Sequence, residues 1–411
     1  MASKDFLRSK DGLIIGVDER DNFYRVDGYQ HIFLMAPTGA GKGVSFVIPN
    51  LLSTSESAIV HDIKIENFAL TSGWRAKQGQ KIYLFEPLNP EGKTHCYNPF
   101  DFVSMNPDKM FDDIQKIAYI LLPDHCHSDH AQERNLFISI ALYIFADSKK
   151  PKTFGEIYRI LMGNLVKELT SASKLKIHNA GLLLINNFLG QDAESQARVT
   201  NSLATHLELW GNPLIDHATS KSDFNPANFR SEKSTLYVGL EPNDIKRLRP
   251  LLQFFYQHIA QSLCRPTDAK KDTHGVLFIL DEFPSIGRMD VFIKSIPYFR
   301  GYKVRLLMIA QDLNDLKTSY CERGANSLLS NSTYKIAFTP NSYDTANFIS
   351  NLSVDRVKKE VAISWQAAMS IGETEQIMII DNQQSIVAKK LRYYDFPEFK
   401  DRIIEPIKCK F

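Results

Sequence analysis

Residues 31–48 read His31-Ile32-Phe33-Leu34-Met35-Ala36-Pro37-Thr38-Gly39-Ala40-Gly41-Lys42-Gly43-Val44-Ser45-Phe46-Val47-Ile48. The run His31 to Met35 has the make-up of a short buried strand, and Val44 to Ile48 predicts the start of a helix. A glycine-rich turn between strand and helix, closed by a lysine, is a phosphate cradle. Backbone N–H groups at the helix start point at the anion, and Lys42 reaches the terminal phosphates. Pro37, Thr38, Gly39, Ala40, Gly41, Lys42, Gly43 and Val44 are therefore the candidate nucleotide-binding residues. Two positions depart from the general pattern. Ala36 stands where it has glycine, and Gly43 stands where it has the Ser or Thr that holds Mg²⁺. A glycine-rich turn with a surface lysine is the plainer alternative.

A second stretch weighs against that alternative. Val276-Leu277-Phe278-Ile279-Leu280-Asp281-Glu282 is an apolar run ending in two carboxylates. Such a run suits a strand buried on both faces of a parallel sheet. Acidic residues at its carboxyl end lie where open α/β sheets bind ligands. Asp281 suits the Mg²⁺ shell, directly or through water, and Glu282 suits orienting or deprotonating an attacking water. Val304 to Ala310 predicts another strand, ending in Gln311. That glutamine reads either as a γ-phosphate sensor or as a polar strand cap. Arg300 precedes this strand, so it falls at the edge of the sheet opposite the phosphate loop. It can serve a neighbour's nucleotide in a ring as an arginine finger, or it makes a surface salt bridge.

Around these motifs the pattern is α/β. Strands are predicted at Gly12–Gly16, Ser57–Val60, Lys81–Phe85, Ser234–Gly239 and Tyr334–Phe338, with helices between. From about Pro107 to Trp210 helical patterns take over, at Met110–Leu122, Leu175–Leu189 and Ala193–Trp210. The expected division is a nucleotide-binding domain over 1–104 and 216–411, with an all-α insertion over 105–215.

The 411 residues are 44% hydrophobic, enough for a large core. A net charge of +2 advertises no global affinity for nucleic acid, so such binding has to come from local patches or from assembly around a channel. The basic pairs Lys149-Lys150, Lys270-Lys271, Lys358-Lys359 and Lys389-Lys390 read as solvated. Five cysteines, none in a C-x-x-C pair, argue for a reducing compartment. The crowded His125-Cys126-His127 with His130 reads as a polar loop rather than a metal site. The longest apolar stretch, Leu136 to Ala146, is too short to span a membrane.

Taken together, several segments resemble the coupling-protein ATPases of type IV secretion and conjugation, of the TraG and VirD kind. They are Pro37 to Gly43, Asp62-x-Lys64-x-Glu66-Asn67 with Leu70-Thr71-Ser72-Gly73, and Tyr97-Asn98-Pro99. Asp281-Glu282-Phe283-Pro284-Ser285-Ile286-Gly287, Gly301-Tyr302 through Gln311, and Tyr393-Tyr394 complete the set. The resemblance implies a RecA-like P-loop fold with a mainly parallel twisted sheet and an inserted all-α domain. It implies ATP and Mg²⁺ as cofactors, with Ser45 or water replacing the ligand absent at Gly43. It implies a hexameric ring of this chain, DNA or unfolded protein in the channel, and Arg300 and Gln311 as finger and sensor. Relaxase, relaxosome or effector proteins and other secretion components are the implied partners, at the cytoplasmic face of a bacterial inner membrane. Family members usually start with a two-helix membrane anchor. The chain accordingly reads as a cytosolic portion with Met1-Ala2-Ser3 as an artificial start, or as an anchorless homologue. A DNA pump outside secretion and a nucleotide-gated recognition platform with little hydrolysis are the alternative functions.

Overall fold

The structure is a computed structural model that describes residues 7, 9, 12–124, 129–268, 270–355, 360–381, 383 and 385–411. The His125-Cys126-His127 cluster, the Lys358-Lys359 pair and Met1-Ala2-Ser3 lie outside the described residues. The chain divides into two compact units. One is Met1–Leu84 with Pro226–Arg249 and Ala260–Lys410. The other is Phe85–Asn225 with Pro250–Ile259 and Phe411.

Among the described residues the first unit is built on a sheet of eleven strands. In chain order they are β1 (Leu13–Val17), β2 (Phe23–Val26), β3 (Ile32–Met35), β4 (Ser57–Ile63), β5 (Lys81–Phe85), β6 (Ser234–Leu240), β7 (Val276–Leu280), β8 (Val304–Ala310) and β9 (Tyr334–Ala337). A separate two-residue ladder follows, β10 (Val354–Asp355) with β11 (Glu360–Val361), and then β12 (Glu375–Ile380) and β13 (Ile386–Lys389) rejoin the main sheet. The spatial order is β2-β1-β13-β12-β9-β3-β8-β7-β4-β6-β5. From β9 through β6 every neighbour is parallel. β7 and β8 are buried along their whole length, as suits a sheet covered on both faces; β7 is wholly apolar, and β8 is apolar but for the buried Arg305. The flank β2, β1, β13, β12 is antiparallel, and β12 is antiparallel to β9. Of this flank only β1 was expected from the sequence. β2 and β13 are four residues each, too short to show a period, and β12 opens on Glu375-Gln376.

Two polar side chains tie the core together. Asn50 is fully buried. Its Oδ1 accepts the Ile14 N–H at 2.7 Å, and its Nδ2 donates to Ile14 O and Phe46 O, both at 2.9 Å. The helix after the phosphate loop is thereby fastened to β1. His31 opens the strand that feeds the loop. One ring nitrogen faces Ile296 O at 3.0 Å, and the other accepts the Leu306 N–H at 3.0 Å. Burial pushes its pKa down to about 4. Protonation would set a second N–H against that of Leu306. A depressed pKa contributes stability that is present above the ordinary value of 6.5 and lost as pH falls through 4, on the order of 3 kcal/mol. Asp62, pushed up to about 7, acts in the opposite sense. The urea midpoint of the wild type is expected to fall between pH 7 and pH 4.5 by more than that of His31→Gln, and this difference isolates the histidine.

The second unit is helical. Its helices include Pro107–Leu121, Ala131–Ala146, Phe154–Met162, Asn179–Leu189 and Ala193–His206. Side-chain oxygens cap several: Asn106 accepts from Asp108 N and Lys109 N, Thr153 from Glu156 N, and Asp192 from Ser195 N. Helix Ala131–Ala146 is buried almost all round, from Leu136 to Ile144, which is why its sequence is apolar on every face. Among the described residues no helix is long and apolar enough to cross a membrane.

Residues 85–104 and 216–225, expected with the sheet, pack in the helical unit instead. Cys96 N donates to Asp223 Oδ2 at 2.8 Å, Asn98 N donates to Ser222 Oγ at 2.9 Å, and Tyr97 stacks on Phe224 with centroids 5.2 Å apart. The Tyr97-Asn98-Pro99 motif is therefore a structural knot of that unit. Helix-period patterns gave no hint of these extended segments.

Candidate nucleotide site

The parallel pairing of β3 with β8, and of β8 with β7, brings the ends of all three strands to one edge. Ala36 N donates to Ala310 O at 2.9 Å, so the phosphate loop springs from the sheet directly beside Gln311. Gly39 and Gly41 have φ of +76° and +84°. Only glycine adopts these angles without strain. A Cβ placed on Gly39 or Gly43 would meet nothing within 4 Å, so the loop encloses open space of the kind a phosphate chain fills. The predicted helix start differs in detail. Gly43–Val47 forms a π-turn, and the α-helix proper is Ile48–Ser53. Pro49 has no N–H to give the preceding turn, and the wider turn is the result.

Lys42 lies between the two β7 carboxylates. Its Nζ is 3.1 Å from Asp281 Oδ1 and also bonds Glu282 Oε1. The other Glu282 oxygen accepts from Gln311 Nε2 at 2.8 Å, and Gln311 Oε1 accepts from Thr38 Oγ1 at 2.7 Å. One continuous chain of contacts thus runs Asp281, Lys42, Glu282, Gln311, Thr38. Burial acts to lower the Lys42 pKa, but the charges of Asp281 and Glu282 outweigh it and the shift is upward. Asp281 is shifted upward by its own burial, with Glu282 adding to it and Lys42 opposing. Glu282 holds a left-handed backbone, φ 50° and ψ 42°. A non-glycine residue there is strained by about 1 kcal/mol or more, and such strain gathers at sites that must aim a side chain.

The residue set fits a nucleoside triphosphate with Mg²⁺. The open cradle and Lys42 suit the phosphates, and Asp281 suits the metal. No hydroxyl stands at position 43, and the nearest along the chain, Ser45 Oγ, is buried with no hydrogen-bond partner among the described residues. Asp62 is the penultimate residue of the adjacent strand β4, and burial pushes its pKa up to about 7, with the charge of Asp281 adding to the shift. Its carboxylate accepts from Asn67 N, Asn67 Nδ2 and Phe68 N at 3.0, 2.9 and 2.7 Å, which caps the helix Glu66–Lys77. The Asp62-x-Lys64-x-Glu66-Asn67 motif is to this extent a helix cap.

Arg300 is not brought to this cluster. It is exposed in the turn Arg300–Tyr302 before β8, and Val304 at that end pairs with Val276 at the start of β7. The seven residues of β8 put roughly 20 Å of strand between it and Gln311. One residue of the site was overlooked by sequence reasoning. Lys390 Nζ donates to Ala40 O of the phosphate loop at 3.3 Å. In the sequence it stood only as half of a basic pair.

Fold and loop geometry together define a P-loop protein of the RecA-like fold class. The chain belongs to the family of the type IV secretory system conjugative DNA transfer proteins, whose family model matches residues 1–356. It is 31% identical over 390 residues to protein VirD4 of Rhizobium radiobacter, covering 90% of this chain and 56% of that protein. It is 29% identical over 374 residues to conjugal transfer protein TraG of Escherichia coli, covering 84% and 59%. The chain thus spans less than two thirds of either relative. Among solved structures it is similar to the bacterial conjugative coupling protein TrwBdeltaN70, with a TM-score of 0.71, 14% identity, and 98% and 93% coverage. Plasmid coupling protein TrwB in complex with ADP and Mg²⁺ gives a TM-score of 0.71 at 13% identity, with 95% and 91% coverage. VirB4 of Thermoanaerobacter pseudethanolicus gives 0.60 at 14%, with 96% and 99% coverage.

Proposed function

We propose that this chain is the motor portion of a type IV secretion coupling protein. It binds ATP and Mg²⁺, hydrolyses ATP as a ring of like subunits, and drives DNA–protein or protein substrates toward the secretion channel at the cytoplasmic face of the inner membrane. The observation that carries the reading is the contact chain from Asp281 through Lys42, Glu282 and Gln311 to Thr38 at the mouth of the phosphate loop. Lys42 contacts the carboxylates of Asp281 and Glu282. When a triphosphate enters the cradle, Lys42 turns to its terminal phosphates and frees Glu282 to orient a water, with Gln311 still bound to it. Asp281 would hold Mg²⁺, directly or through water, and the metal would supply neutralisation of the phosphate charge. The cap at Asp62 and the Gly39–Gly41 nest fix the frame in which this occurs. Division of labour supports a sheet unit that does chemistry and a helical unit, centred on residues 105–215, that meets relaxase or effector cargo.

The test is ATP turnover against protein concentration, with and without single- and double-stranded DNA, beside Lys42→Ala. Turnover that climbs with concentration and DNA is expected, falling by at least a hundredfold in the variant. The absence of a hydroxyl at position 43 favours one rival, a recognition platform that binds nucleotide with little hydrolysis. Tight ATP binding with flat, negligible turnover under every condition would establish that rival.

A further inference from the structure

Alternation carried one residue past the end of β13 sends Lys389 and Lys390 in opposite directions. Lys389 points out and pairs with Asp21 at 3.0 Å. Lys390, just past the strand end, points in and is only 8% exposed. Its ammonium sits 4.1 Å from the centroid of the Phe338 ring and 3.3 Å from Ala40 O. Both partners belong to the phosphate-loop frame. Phe338 N donates to Met35 O at 2.9 Å, and Ala40 lies between the two left-handed glycines. The segment bearing Lys390 is fixed from both sides. Lys390 N donates to Thr374 O at 2.7 Å, while Leu391 and Tyr393 pack with Ile48 and Val44 of the helix after the loop.

Among the described residues Lys390 has no carboxylate in ion-pair range. Burial pushes its pKa down to about 8, Arg392 adds to this, and Glu373 opposes it. A buried ammonium with no counter-ion costs stability unless something anionic arrives. The face of an aromatic ring compensates by only about 1–2 kcal/mol. Among the described residues the hydrogen bond of the Lys390 ammonium goes to Ala40 O, in a loop whose amides are shaped for phosphate.

We propose that Lys390 is a second lysine of the nucleotide site, a positioning residue that pulls the Ala40 carbonyl outward so that the neighbouring loop amides face inward, and whose charge is balanced by the phosphates of the bound nucleotide. The inference rests on the reading of this loop as a nucleotide site. A peptide carbonyl and its following N–H point in opposite senses, so a cation that holds the Ala40 oxygen fixes the direction of the Gly41 amide. The charge lies behind the loop in a largely buried setting, where attraction to a polyphosphate in the cradle would be stronger than in water.

The experiment is equilibrium binding of ADP and of ATP to the full chain, with Mg²⁺ and in EDTA, for the wild type, Lys390→Met, Lys390→Arg and Lys42→Ala. Lys390→Met keeps the apolar stem over Phe338 and is expected to bind both nucleotides at least tenfold more weakly. The loss should persist in EDTA, because the lysine acts on the loop and the phosphates rather than on the metal. Lys390→Arg should restore most of the affinity, a rescue that a purely space-filling role would not produce. A melting temperature for each variant separates misfolding from weaker binding. Wild-type affinity in Lys390→Met, or no rescue by arginine in a folded variant, would overturn the proposal. No nucleotide binding by the wild type itself would overturn the nucleotide-site reading instead, and Lys42→Ala is the reference for that loss.

Discussion

Glu282→Gln is expected to lower ATP turnover by about 10²–10⁴-fold while leaving ATP binding intact. Glu282 accepts from two donors, Lys42 and Gln311. A glutamine offers one acceptor and one donor, so one of those contacts becomes donor against donor and loosens. That loss is small beside the catalytic one, because Glu282 is partly open to solvent and Lys42 still has Asp281 at 3.1 Å. With nucleotide bound, Lys42 moves to the phosphates and the lost negative charge no longer opposes them. Binding should stay the same or tighten. In the proposed mechanism the variant lacks the carboxylate that would accept the proton of the attacking water, and a neutral amide does not replace it. The measurement is turnover alongside equilibrium ATP affinity in the same preparation. A variant that turns over at the wild-type rate would show that Glu282 is only the resting partner of Lys42, and the base would have to be sought elsewhere on that edge.

How far the sequence foretold this edge depends on the kind of signal each residue carries. The central parallel strands were legible because burial on both faces favours long apolar runs, and Val276–Leu280 and Leu306–Ala310 are such runs. Lys42, Asp281, Glu282 and Gln311 were legible because each follows such a run, and parallel pairing brings their ends together. Two things were not. The antiparallel flank is made of strands of four to six residues whose pairing is set by distant partners, as in Val17 with Lys389. Lys390 was invisible for the same reason. It is 350 residues from Ala40 along the chain, and only the crossing of the sheet brings them into contact. The unit boundaries slipped similarly. Cys96 and Asn98 are fixed by Asp223 and Ser222, contacts that no local pattern announces.

Arg300→Ala is expected to abolish the concentration-dependent part of ATP turnover, a loss of about 10³–10⁵-fold if it acts as a finger in trans. The geometry makes this prediction sharp. Arg300 sits at the start of β8 and Gln311 at its end, so a single subunit cannot bring the arginine to its own phosphates. In a ring of like subunits, one copy's starting edge can meet the next copy's finishing edge. Removal of an exposed side chain costs the fold little, within about 0.5 kcal/mol, so stability should not confound the assay. Mixing two dead variants then decides the matter. Lys42→Ala has an intact arginine and a broken cradle, whereas Arg300→Ala has an intact cradle and no arginine. Each alone should be inactive, and a mixture should regain turnover wherever an Arg300→Ala site meets a Lys42→Ala neighbour. Recovery in the mixture cannot come from either chain acting on its own nucleotide. Wild-type turnover by assembled Arg300→Ala would mean that the arginine is a surface residue, and that the charge developing on the transferred phosphate is met within one subunit by Lys42 and Mg²⁺.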